Sequence, residues 1–211
     1  MTRKQQFISD GIVAGMNQLQ FCLKNFFMVQ SHRVIYNPIQ KDTVTFIKTV
    51  EETAGAYTLV EVELSPRGGV GLHYHKAYTE SFECLEGELS VQTGKKILVL
   101  KPGDRPVTVE KNVLHRFFNT SAEICRFSVM ISPGSRGFEE SLQIAYGLAR
   151  DGKTNAKGIP ANFDHLGVLL ALSESKLPGW QGMIERVLLW VGKKADKKGV
   201  TSRLRQEYVQ L

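Results

Sequence analysis

From Arg33 to about Ser132 the chain runs in short β-branched, aromatic and aliphatic stretches, many of which alternate apolar with polar positions. A period of two is the mark of a half-buried strand, because successive side chains leave opposite faces of the pleat. Turn signals punctuate the stretches at Asn37-Pro38, Ala54-Gly55, Pro66-Arg67-Gly68-Gly69, Glu86-Gly87, Thr93-Gly94, Pro102-Gly103-Asp104 and Ser132-Pro133-Gly134. Strands are predicted over 33–36, 44–50, 57–64, 71–75, 80–85, 88–93, 96–100, 106–109, 114–119 and 123–131. Short strands at this spacing indicate an all-β sandwich or barrel. No motif repeats, so one barrel per chain is expected.

The flanks have another texture. Residues 1–30 carry a weak helical periodicity through Phe7, Ile8, Ile12, Met16, Leu19, Leu23, Phe26 and Phe27. They are expected to form a helical arm whose apolar face rests on the barrel or on a second subunit, which suits a homodimer. After Gly134 the pattern turns helical over 139–150, 163–174 and 179–194, the last with Met183, Val187, Leu188, Trp190 and Val191 broadly on one face. The predicted organisation is an arm over 1–30, a barrel over 31–134, and a helical extension with a basic tail over 135–211. These helices are expected to be structural, packed outside the barrel or paired between subunits.

Composition narrows the function classes. A chain of 211 residues supports one sizeable core. The longest apolar run, LGVLLAL at 166–172, falls far short of the roughly 20 residues a membrane helix needs. The first residues lack an apolar block with a small-residue cleavage site, so a cytoplasmic location is expected. Cys22, Cys84 and Cys125 have no C-x-x-C spacing, which suggests neither a disulfide framework nor a thiolate zinc site. The net charge of +6 sits at the ends: residues 192–211 contribute +4 and 1–30 contribute +2, leaving 31–191 balanced. With no helix-turn-helix signature among the C-terminal helices, the basic tail reads as a solvated terminus, and no nucleic-acid or membrane contact is expected.

Chemistry concentrates in two stretches, which hold three of the five histidines. In the first, Gly71-Leu72-His73-Tyr74-His75-Lys76-Ala77-Tyr78-Thr79-Glu80, His73 and His75 stand two apart and project from one face of a strand. The next strand can bring Glu80 to the same interior, with Phe82 and Cys84 inward and Tyr74, Ser81 and Glu83 outward. In the second, Pro102-Gly103-Asp104 precedes Glu110-Lys111-Asn112-Val113-Leu114-His115-Arg116-Phe117-Phe118-Asn119. There His115, Phe117 and Asn119 alternate with Arg116 and Phe118, and a metal site requires His115 to face inward. His32 and His165 match neither pattern and read as ordinary surface or core histidines. Cys84 reads as packing.

The succession H-x-H-x4-E-x6-G, then H-x3-N some thirty residues later, resembles the paired motifs of the cupin superfamily over roughly residues 67–119. The resemblance implies a double-stranded β-helix, or jelly-roll barrel, binding one divalent transition metal through His73, His75, Glu80 and His115. Arg67, Glu110 and Asn112 depart from the usual Gly, Pro and Gly, and Gly103 lies one residue early. Asn tolerates positive φ, so that turn can survive. Three imidazoles and a carboxylate suit Fe, Mn, Ni, Co, Cu or Zn without selecting among them. Four side chains leave two positions open on a six-coordinate ion. The arrangement points to a metal-dependent enzyme acting on a small organic molecule, an oxidoreductase resembling quercetin-type dioxygenases. Phe82, Cys84 and Phe117 would line the substrate pocket, and Glu80 could double as a proton acceptor. Isomerase or hydrolase chemistry, and non-enzymatic small-ligand binding or sensing, stay open from the residues alone.

Overall fold

The predicted alternation appears as paired strands in a computed structural model that describes residues 33–173, 175–176 and 181–211. The predicted N-terminal arm, Cys22 and His32 lie outside the described residues. In chain order the strands are β1 (Val34–Asn37), β2 (Asp42–Lys48), β3 (Thr58–Leu64), β4 (Tyr74–His75), β5 (Thr79–Glu86), β6 (Leu89–Thr93), β7 (Lys96–Leu100), β8 (Val107–Val109), β9 (His115–Phe118) and β10 (Cys125–Ser132). Helices α1 (Arg136–Arg150) and α2 (Phe163–Ser173) follow, then a two-residue strand β11 (Ser175–Lys176), α3 (Gln181–Lys197) and α4 (Val200–Tyr208).

One sheet has the order β1-β2-β3-β10-β5-β8, a second β7-β6-β9, and β11 pairs with β4. The ladders are antiparallel, and β10 lies between β3 and β5 rather than beside its chain neighbours. These crossovers make the jelly-roll. The period-two pattern sets the inner face: Val44 and Phe46 on β2, Val60, Val62 and Leu64 on β3, Phe82 on β5, and Phe127, Val129 and Ile131 on β10 are all buried in one core. Burying such side chains stabilises by about 1.5–3 kcal/mol each relative to exposure.

The strand expected over 71–75 forms a ladder only at Tyr74–His75. Upstream, Arg67 at φ 61° and Gly69 at φ 152° curl the approach, leaving His73 attached by an isolated bridge to His115. Asn112 sits at φ 64°, the left-handed conformation the family's glycine would take there.

The helices depart further from expectation. Ser135 caps α1 by accepting a hydrogen bond from the Phe138 N–H at 3.1 Å. Glu139 ties its first turn to the sheet, accepting from the Val50 N–H at 2.6 Å and the Thr58 hydroxyl at 2.7 Å. One face of α1, with Phe138, Leu142, Ala145 and Tyr146, belongs to the barrel core. The other, with Ile144 and Leu148, enters a second core with Val168, Ala195, Val200, Leu204 and Tyr208. The helical extension is therefore not merely an outer layer, because α1 completes both cores. Nor is the basic tail a solvated terminus throughout: α4 turns Val200, Leu204 and Tyr208 inward and its arginines outward. None of the described helices is long and apolar enough to cross a membrane.

Candidate metal centre

β4 and β9 approach each other where His73 bridges His115, and β5 passes beside them with Glu80 on its inward set. One ligand-capable atom from each of His73, His75, Glu80 and His115 lies within 4.8 Å of all the others. Bonds of about 2.1 Å limit donors on one ion to about 4.2 Å apart. The cluster reaches that with a contraction of roughly half an ångström. His75, Glu80 and His115 are buried, and His73 is half-buried.

Hydrogen bonds fix the rings. His73 Nδ1 lies 2.8 Å from the Gly71 carbonyl oxygen, and His115 Nδ1 lies 2.9 Å from that of Val113. A carbonyl can only accept, so each Nδ1 carries the proton and each Nε2 is the candidate ligand atom. His115 Nε2 is 3.0 Å from Glu80 Oε2, and His75 Nε2 is 3.3 Å from Glu80 Oε1. A neutral His115 with its proton on Nδ1 would set a lone pair against the carboxylate. A cation must therefore lie between them, either a proton or a metal ion, and the donor set fits a divalent transition metal. His75 also stacks on Tyr78, at 4.4 Å between centroids. The Tyr78 hydroxyl donates to the Ser173 carbonyl at 3.0 Å, linking the centre to the end of α2.

The electrostatics hold Glu80 and His73 in the forms that ligate. Burial alone would raise the Glu80 carboxyl, but hydrogen bonds from His115 and His75 outweigh it and hold the group well below the usual carboxylate range. Burial lowers His73, and the neighbouring imidazoles add to this against the pull of Glu80, bringing it down to about 4. Burial works downward on His115 too, yet its hydrogen bond to Glu80 prevails and raises it.

His73, His75 and Glu80 open onto a cavity of about 350 Å³. Its walls come from the inner faces of β2, β3, β9 and β10 and from α1 and α2, including Val44, Val62, Phe117, Phe138, Leu142 and Leu169. Of the predicted pocket residues, Phe117 lines it, whereas Phe82 and Cys84 do not. Phe82 is wholly buried in the core, packed with Phe117 and Phe127 in a cluster of three rings. Cys84 lies near the far end of β5, its Sγ 3.6 Å from the Glu86 and Gly87 carbonyl oxygens. Burial raises its thiol, and pushes that of neighbouring Cys125 up to about 12. Both are unreactive core thiols, free of disulfide. His165, on α2, is outside the cavity wall.

Sequence reasoning missed the contribution of α1. Its signal was present in Phe138, Leu142, Ala145 and Tyr146, spaced i, i+4, i+7, i+8 on one helix face. It missed Asp42 as well, which the alternation through Val44 and Phe46 places inward once β2 is extended by two residues.

Comparison with known proteins agrees with this geometry. A family model described as a cupin domain matches residues 60–132, from β3 to the end of β10. Quercetin 2,3-dioxygenase of Bacillus subtilis (strain 168) is 35% identical over 68 residues, which span 32% of this chain and 20% of that protein. Among solved structures, a predicted oxalate decarboxylase of Thermotoga maritima shares 22% identity with a TM-score of 0.42, over 44% of this chain and 80% of its own. The polyketide cyclase RemF of Streptomyces resistomycificus shares 22% identity with a TM-score of 0.40, over 44% of this chain and 65% of its own. The family match covers all four candidate ligands, and residues 60–132, with those side chains clustered inside a jelly-roll barrel, form a cupin domain.

Proposed function

We propose that this cupin binds one divalent transition metal through His73, His75, Glu80 and His115 and is an enzyme of oxygenase type acting on a small organic molecule held in the adjoining cavity. The observation that carries the reading is the convergence of four ligand-capable atoms within 4.8 Å at the wall of a largely apolar cavity. When bound, such an ion supplies Lewis acidity and open positions for substrate oxygens and, if redox-active, for dioxygen. Three neutral imidazoles and one carboxylate leave a 2+ ion with a net charge of about +1, which favours an anionic or chelating oxygen ligand.

The protein's own residues do the rest. The carbonyls of Gly71 and Val113 hold two imidazoles with Nε2 forward. Glu80 stays ionised, able to ligate or to accept a proton from a bound substrate. The apolar walls from β2, β3, α1 and α2 exclude water and orient the substrate's body. The 35% identity to a quercetin dioxygenase over 68 residues supports the oxygenase class.

Elemental analysis of purified protein beside a His73→Ala/His115→Ala variant tests the metal. Near-stoichiometric metal in the wild type and its loss in the variant is the expected result. Oxygen uptake by the Fe, Mn, Ni, Co and Cu forms with phenolic and enolic substrates tests the class. Turnover that persists without dioxygen would assign isomerase or hydrolase chemistry instead, and tight binding without turnover a sensing role.

A further inference from the structure

The family-matched segment ends at residue 132, and chain well beyond it reaches back to the candidate metal centre at His75. His75 closes β4, and its register partner is Ser175 of β11, the short strand that follows α2. The His75 carbonyl oxygen also accepts from the Asn112 N–H at 2.7 Å. The backbone of this candidate ligand is thus held by β11 as well as by the turn that leads into β9.

Its imidazole meets Tyr78. The two rings stack at 4.4 Å between centroids with 28° between their planes, a contact that fixes the tilt of the smaller ring. Tyr78 is itself fixed: it is 1% exposed, it meets the Phe138 ring of α1 edge-on at 5.8 Å, and its hydroxyl donates to the Ser173 carbonyl at 3.0 Å. Ser173 is the last residue of α2, where carbonyls run out of donors within a helix. A phenol at position 78 therefore makes a bond there that phenylalanine could not. Tyr78 stands outside the cavity wall, whereas His75, Phe138 and Ser173 are in it. It can act on a bound ion only through the side chains it touches.

We infer that Tyr78 is a positioning residue for His75, and that the end of α2 is the anchor it works from. This rests on the metal-centre reading. A ligand imidazole must aim its lone pair at the ion, and groups that orient such rings are worth about ten- to a hundredfold in metal affinity. The helical extension is then part of the metal centre as well as of the cavity wall. Coupling is reciprocal, so an ion that binds His75 in its held orientation steadies the end of α2 and β11 in return.

Cobalt(II) affinity is measured by competition with a chromophoric chelator, beside the cobalt absorption spectrum, for the full-length wild type, Tyr78→Leu and Tyr78→Phe. Tyr78→Leu is expected to lose about tenfold or more in affinity and to alter the spectrum. Tyr78→Phe keeps the stacked ring and should recover most of the loss and the wild-type spectrum. Wild-type affinity and spectrum in Tyr78→Leu would overturn the positioning role and leave the metal reading standing. A wild type that takes up no cobalt would overturn the metal reading, and the role of Tyr78 with it. Should Tyr78→Leu fail to fold, amide hydrogen exchange decides. Cobalt is expected to slow exchange at the end of α2 and at β11 in the wild type, and to slow it less in Tyr78→Phe, which lacks the bond to Ser173. No slowing in the wild type, or slowing of equal size in Tyr78→Phe, would overturn the anchoring on α2.

Discussion

At the scale of single residues, the candidate centre turns on Glu80, which faces two imidazoles with its two oxygens. Glu80→Gln keeps an oxygen donor but removes the charge, and metal affinity should drop by about tenfold or more in competition with a chromophoric chelator. Asp42 gives a separate, pH-resolved prediction. Burial holds a proton on its folded carboxyl up to about pH 6, whereas an unfolded aspartate releases it near 3.8. The folded state therefore binds more protons between those values, and stability declines as pH rises through the window. The full difference is on the order of 3 kcal/mol. Urea unfolding of Asp42→Asn at about pH 4 and about pH 7 should show that decline reduced relative to wild type. His73 and His75 were readable as a pair because a two-residue spacing on a strand fixes a shared face whatever the rest of the chain does, whereas His115 was placed with them by the metal reading. Asp42 was not, because its cavity exists only where α1 covers the sheet.

Among the elements, α1 is decisive because it carries apolar residues on two faces and belongs to two cores. Strand alternation marked most of the sheets in advance, β4 among them, and its partner β11 escaped because a two-residue strand leaves no periodic trace. The packing of α2 on α3 depends on Gly192, where an added Cβ would lie 2.4 Å from the Gly167 carbonyl oxygen. Alanine would gain about 1 kcal/mol in helix propensity, but backbone cannot retreat from such a contact without separating the helices. Gly192→Ala should therefore cost roughly 1–3 kcal/mol net in urea unfolding. Since Leu169 and Ser173 of α2 line the cavity, a shift of α2 would reshape its wall as well.

For the whole molecule, folding and metal binding are linked: an ion that binds only the assembled centre stabilises the fold by mass action. Free metal at one hundred times its dissociation constant contributes about 2.7 kcal/mol, and for a chain of this size that raises Tm by about 5–10 °C. Calorimetry should show this rise on adding metal, its reversal by chelator, and its absence in His115→Ala.

The sequence by itself determined an all-β sandwich or barrel and the shared face of His73 and His75, because inward and outward positions on a strand follow from backbone geometry alone, while the jelly-roll class and the full set of four candidate ligands came from the resemblance of its motifs to those of cupins. It left Phe82 and Cys84 indistinguishable from true pocket residues: alternation says which face a side chain leaves, not whether another side chain stands between it and the cavity. Only the tertiary structure decided that Phe117 lines the cavity while Phe82 does not, that α1 and α2 contribute to its wall, and that Asp42 meets Tyr146 across 104 residues of chain. Contacts between elements distant in sequence depend on how faces are apportioned in the packed whole, and no local pattern encodes that.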